Sequence, residues 1–182
     1  LDESLRWYRA ADSRLGVALV FAARAEIGLA MGALEQAESY ARESLAIAGE
    51  VGHEGTVAVT TAILGACAVR RGALCDAERL MRRALHGYEA TGDFVNTPTA
   101  LETFAELARA SGDVARAAQF LGAAAERRDR LGLTVAPAQR RQRDQLLDGL
   151  RRTLTIPSFD EAFAMGRRMA LETMLTLPIA RP

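Results

Sequence analysis

Apolar residues recur at three- and four-residue spacing in one segment after another, and each segment closes on glycine. Leu19, Val20, Ala23, Ile27 and Ala30 line a segment over 16–31 that Gly32 ends; Leu34, Ala37, Ala41, Leu45 and Ala48 line the next, over 33–50, closed by Gly49 and Gly52. This spacing gathers the apolar side chains on one side of an α-helix, and glycine supplies the left-handed residue on which helices commonly stop. The same pattern predicts helices over about 54–71 and 73–90, closed by Gly92-Asp93, and over about 98–111 and 113–131, closed by Gly132. Thr97-Pro98 reads as an N-cap hydroxyl followed by proline at the first helical position. Residues 1–12 read as the end of a second helix of a pair.

The pairs repeat. Gly32-Ala33-Leu34-Glu35-Gln36-Ala37-Glu38, Gly72-Ala73-Leu74-Cys75-Asp76-Ala77-Glu78 and Gly112-Asp113-Val114-Ala115-Arg116-Ala117-Ala118 follow one another at 40-residue steps without a gap. A fixed period of this length marks stacked supersecondary units, none of which buries its apolar face alone. Ala37, Ala77 and Ala117 are therefore expected to be buried equivalently, with Ala25, Gly65 and Ala105 small where the helices of a pair cross. Upstream, Leu5, Tyr8 and Ala10 precede Leu85, Tyr88 and Ala90 by 80 residues, and residue 1 is Leu. The expectation is a piece of a longer polypeptide beginning inside a repeat, with residues 1–12 the least stable part and Trp7 at an open edge.

After Gly132 the period is lost. Leu133 to Ala138 reads as a connector, and 138–154 as a charged amphipathic helix carrying Leu146, Leu147, Leu150 and Leu154, ended by Ile156-Pro157. Ser158 with Glu161 forms a capping-box pattern opening a further helix, with Phe159, Ala162, Phe163 and Met169 on its apolar side. Leu171, Met174 and Leu175 continue the apolar pattern as far as Leu177-Pro178. The fold expected is all-α: a right-handed solenoid of antiparallel helical pairs over 1–132, its first repeat truncated, and capping helices over 133–182.

Glycine before the second helix with alanine five residues on, and Leu64-Gly65 with Ala68 in a first helix, resemble the tetratricopeptide repeat. The period of 40 rather than the usual 34, Thr61 at an aromatic position and the lack of a closing proline depart from it. The tail carries a sharper likeness. Ala117-Ala118-Gln119-Phe120-Leu121-Gly122-Ala123-Ala124, Leu131-Gly132, Pro137 and Phe159 to Glu172 resemble the C-terminal tetratricopeptide-like arm of large bacterial ATPase-type regulators of the LuxR family, including MalT-like proteins. Phe163 stands where that family usually has tryptophan. The resemblance implies a sensor or autoinhibitory arm attached to a nucleotide-binding module, often followed by a helix-turn-helix domain. The alternative is an assembly arm of a signalling enzyme, an adenylate cyclase or Ser/Thr kinase fusion, with its catalytic domain outside these residues.

Composition narrows the chemistry. Alanine supplies 36 of 182 residues, all 23 basic residues are arginine, and the net charge is zero. Without lysine the chain holds no P-loop, no kinase strand lysine and no Schiff-base amine. Charge is uneven: residues 1–119 carry 12 Arg against 16 acids, net −4, and 120–182 carry 11 Arg against 7 acids, net +4. The zero balance argues against nucleic-acid binding by this chain. Cys67 and Cys75, with only His53 and His86, fit no zinc spacing, and read as buried apolar residues in a reducing cytoplasm. The runs 127–130 and 140–143 are interleaved with acids and read as solvated or paired arginines.

These readings exclude catalysis, a metal and a cofactor, and leave binding. In a tetratricopeptide stack the first helices line the inner face. That geometry places Glu26, Arg70, Glu102, Glu106 and Arg109 there, beside Leu19, Leu29, Val59 and Val69. Mixed charge over apolar neighbours suits a protein partner, another domain of the same polypeptide or a small polar effector. The competing reading pairs Glu106 with Arg109 across one helical turn. No run is long enough to span a membrane, and a homodimer stays open.

Overall fold

A computed structural model describes residues 1–135, 137–176 and 179. The fold is all-α. Among the described residues there are ten helices and no strand: α1 (Asp2–Ala10), α2 (Arg14–Met31), α3 (Leu34–Glu50), α4 (Glu54–Arg70), α5 (Leu74–Thr91), α6 (Thr97–Ala110), α7 (Val114–Leu131), α8 (Pro137–Thr153), α9 (Ile156–Arg168) and α10 (Leu171–Thr176). Ala136, within the expected connector, and the expected stop at Leu177-Pro178 lie outside the described residues. None of the described helices is long and apolar enough to cross a membrane.

The turns obey a tighter rhythm than the repeat itself. Gly32, Gly52, Gly72, Gly92, Gly112 and Gly132 all take positive φ, between 62° and 83°, and Asp12 takes the same conformation at φ 51°. At each turn the following amide donates back to a carbonyl five residues earlier: Ala33 to Gly28 at 2.8 Å, Ala73 to Ala68 at 2.9 Å, and Asp113 to Ala108 at 2.9 Å. This is the Schellman closure, and the left-handed residue it needs is where glycine costs least. Each helix plus its turn thus occupies a fixed stretch of chain, and two of them make one repeat.

The chain divides into two compact units, Leu1–Asp93 and Phe94–Pro182, so the third helical pair shares a unit with the helices after Gly132. In the first unit α2 pairs with α3 and α4 with α5, while α4 also packs on α3 and lies beside α2. Ala25, Ala37, Ala41, Ile63 and Cys67 form one buried cluster there. Ala37 and Ala77 are fully buried, as is Ala117 in the second unit. The crossings are tight: a Cβ added at Gly65 would meet the Met81 side chain, and one at Gly28 would meet the Ala37 backbone nitrogen at 3.2 Å.

In the second unit α6 pairs with α7, and α9 packs along α7 as closely as the hairpin partner does. Two glycines make this possible. A Cβ at Gly122 would overlap the Phe163 carbonyl, and a Cβ at Gly166 would overlap the Gln119 carbonyl. The repeat register explains why α7 accepts a neighbour here. Glu38 and Arg42 pair at 2.8 Å on α3, and Glu78 and Arg82 pair at 2.7 Å on α5. The same register positions on α7 are Ala118 and Gly122. Where two copies carry a partly buried ion pair, the third carries small residues under α9. Arg167 of α9 then reaches Glu126 at 2.8 Å and Asp129 at 2.9 Å on α7.

Two boundary expectations are corrected. Asn96, not Thr97, is the N-cap of α6, and its side chain makes no capping bond. By the repeat α6 would start at 94, but Pro98 has no N–H to bond to residue 94 and its ring would strike that carbonyl, so the helix begins at Thr97. Pro157 opens α9 rather than ending α8. Thr155 is the cap, its Oγ1 accepting from the Ser158 amide at 3.4 Å.

Candidate binding face

α2 and α4 of the first unit lie side by side. Of the residues expected on the inner face, Leu19 and Glu26 on α2 and Arg70 on α4 are exposed, and Leu29, Val59 and Val69 are half-buried. Arg70, exposed at the end of α4, donates from Nη1 to the Leu29 carbonyl at 2.5 Å and so ties the two first helices together. That carbonyl belongs to the last turn of α2, where it also accepts the Gly32 amide at 3.2 Å and where the macrodipole favours a cation. Glu26 is exposed as a residue, yet partial desolvation raises its carboxyl above its ordinary value. Leu29 and Val59 also lean on the buried cluster beneath.

The second unit treats its first helix differently. Glu102 is held by Arg128 of α7, which reaches both carboxylate oxygens, one of them at 3.0 Å. Both side chains are largely buried, at 13% and 7% exposure. Desolvation raises the Glu102 carboxyl above its ordinary value, against the opposing hydrogen bond and charge of Arg128 and the charge of Arg143. Glu106 accepts from Gln142 Nε2 of α8 at 2.5 Å. Arg109 is exposed near the end of α6. Glu102 and Glu106 are thus engaged by α7 and α8 within their own unit, while Glu26 and Arg70 are exposed on α2 and α4 in theirs.

Arg128 is the residue that the sequence reading passed over, since it sits in a run taken as solvated or paired. A signal existed. Position 128 is in register with Tyr88 and Ala48, both buried, and Glu102 is in register with Ala62 and Ala22. An arginine and an acid at two core registers must find one another, because an unpaired charge there is costly. A second correction concerns Cys75, which is exposed in the first turn of α5, whereas Cys67 is buried and its thiol is raised by desolvation first.

Among the described residues no group of three His, Cys, Asp or Glu side chains is placed to hold a metal ion. A shallow depression of about 370 Å³ lies along α8, lined by Arg140, Arg141, Asp144, Gln145 and Asp148. A wall drawn from a single helix with alternating charge offers no converging groups of the kind a reaction centre needs. Comparison with protein-family models, with curated proteins and with solved structures returns no match for this chain.

Proposed function

We propose that the chain is a binding arm without catalytic chemistry, part of a larger bacterial transcriptional regulator of the LuxR type, and that it takes a protein partner or small polar effector on its first-helix face. The observation that carries this reading is the α2–α4 face. Glu26, Arg70 and Leu19 are exposed and Val59 and Val69 half-buried on two helices that pack side by side, fixed to a scaffold of packed hairpins rather than to loops. Mixed charge gives orientation and the apolar residues give area, the combination suited to a folded partner or peptide. The tail motif resembling regulator arms supports the attachment to a regulator.

The experiment is a charge reversal in the full-length polypeptide. Glu26→Lys with Arg70→Glu should change transcriptional output and partner capture, while Arg83→Glu, on an exposed position of α5, should not. Circular dichroism controls for folding. Unchanged output in the double variant, with its fold intact, rejects this face as the binding surface.

A further inference from the structure

α8 stands in the chain where a fourth first helix would stand. Thr97 and Pro137, which open α6 and α8, are one 40-residue period apart. In the first unit the corresponding helix, α4, packs firmly on α3 and beside α2. α8 has no such seat. It meets α6, α7 and α9 only lightly, while α9 takes α7 as its partner.

The course of α9 makes α8 an excursion from a closed hairpin. Phe163 and Arg167 flank Gly122, and Gly166 meets Gln119. Beyond α9, the Met174 carbonyl accepts from Arg116, in the first turn of α7, at 2.6 Å. α9 therefore runs back along α7 and begins near the end at which α7 stops. Residues 132–155 leave and return at that one end. The backbone approach at both glycines and the two ion pairs of Arg167 hold α7 to α9 without α8.

Little fastens α8. Leu146 and Leu150 are buried and Leu147 is half-buried, while most of its other described residues are exposed. Gln142 donates to Glu106 at 2.5 Å, and Arg143 is near enough for its charge to favour the Glu102 carboxylate. Residues 142, 143, 146 and 150 share one side of the helix, at three- and four-residue spacing. Five arginines against two aspartates make α8 basic where it meets the two acids of α6. A segment with so few buried apolar residues is drawn from the low-stability end of a fold and opens locally.

We propose that α8 is a detachable strap on α6, and that the acidic side it vacates at Glu102 and Glu106 takes a partner's amphipathic helix of the same chemistry: glutamine and arginine one turn ahead of two leucines four residues apart. α8 is the occupant within the intact chain, and the partner helix replaces it. The strap lies wholly in the second unit and is independent of the α2–α4 face, so either reading can fail without the other.

Amide exchange of the intact chain tests the strap. α8 should exchange as one unit, about tenfold or more faster than α7 and α9. Protection in α8 equal to theirs overturns the proposal. Leu146→Asp with Leu150→Asp should detach α8 and leave α6, α7 and α9 protected; lost protection in those helices makes α8 an integral part of the unit and overturns it too. A fluorescein-labelled peptide of residues 139–154, followed by anisotropy, tests the vacated side. It should bind the double variant about tenfold or more tightly than the wild type, whose own α8 competes for the same place. Adding Glu106→Arg should abolish that gain. Equal binding to both proteins, no binding to the double variant, or a gain indifferent to Glu106→Arg overturns the proposed site.

Discussion

Arg128 of α7 holds both carboxylate oxygens of Glu102 on α6, at registers where the earlier copies carry Tyr88 with Ala62 and Ala48 with Ala22. A buried pair of this kind is most sensitive to losing one member. Arg128→Met should cost about 3–5 kcal/mol, because the carboxylate stays buried without its partner. Adding Glu102→Leu should recover most of that loss, as apolar replacement of a whole pair is close to neutral. Chemical denaturation of the three proteins measures the cycle; equal losses in the single and double variants would contradict it.

The same carboxyl gives a pH dependence with a definite sign. Desolvation outweighs Arg128 and raises the folded-state value of Glu102 above its unfolded one. The folded protein therefore binds this proton more readily than the unfolded chain does, and the stability linked to it is present below the ordinary carboxylate range and lost as pH rises through the raised value. As pH rises from below the ordinary carboxylate value through the raised one, wild type should lose stability relative to Glu102→Gln, which cannot titrate. Urea unfolding over a series of rising pH tests it. A difference of the opposite sign would mean that the attraction of Arg128 exceeds the burial penalty.

Gly166→Ala should loosen α9 from α7, since its Cβ would overlap the Gln119 carbonyl, a backbone atom that cannot swing aside. A cost of about 1–3 kcal/mol is the usual scale of overpacking. Amide exchange should rise in α9 and leave α2 to α5 unaffected. Unchanged protection in α9 would show that the helices part more easily than the crossing implies.

Ala77→Leu should likewise cost about 1–3 kcal/mol, the side chain having no space at a position that is fully buried. A thermal melt that does not move would contradict the equivalence of Ala37, Ala77 and Ala117 as packing positions.

Asp12 holds the left-handed turn that glycine holds at every later turn of the series. Asp12→Gly should stabilise the α1–α2 turn by up to about 1 kcal/mol, because an L side chain is strained in that conformation. Slower amide exchange in α1 would register the gain; faster exchange would show that the aspartate contributes more through its own bonds than its backbone costs.

The helices and their pairing were legible in the chain because both depend on local, periodic information. A 3.6-residue apolar period, small residues at fixed registers and a glycine at every turn from Gly32 to Gly132 act over one or two helices, and each is repeated often enough to be read. Pro98 and Thr155 moved two helix starts by a few residues, an effect of local backbone chemistry that the periodic pattern does not carry. The candidate face was less legible. Glu26 and Arg70 stayed on an exposed first-helix surface, but Glu102 and Glu106 became bonded to Arg128 and Gln142. That outcome depends on which side of α6 meets α7 and α8, and α8 lies beyond the last repeat. The substitution of Glu38–Arg42 and Glu78–Arg82 by Ala118–Gly122 was in the sequence throughout, yet only the packed α9 gives it meaning. Sequence by itself determined the repeating helical pairs, because hydrogen bonding and apolar spacing along a helix are properties of neighbouring residues. Tertiary structure alone decided which charges are buried and paired, because burial is set by residues distant in the chain that arrive from another helix.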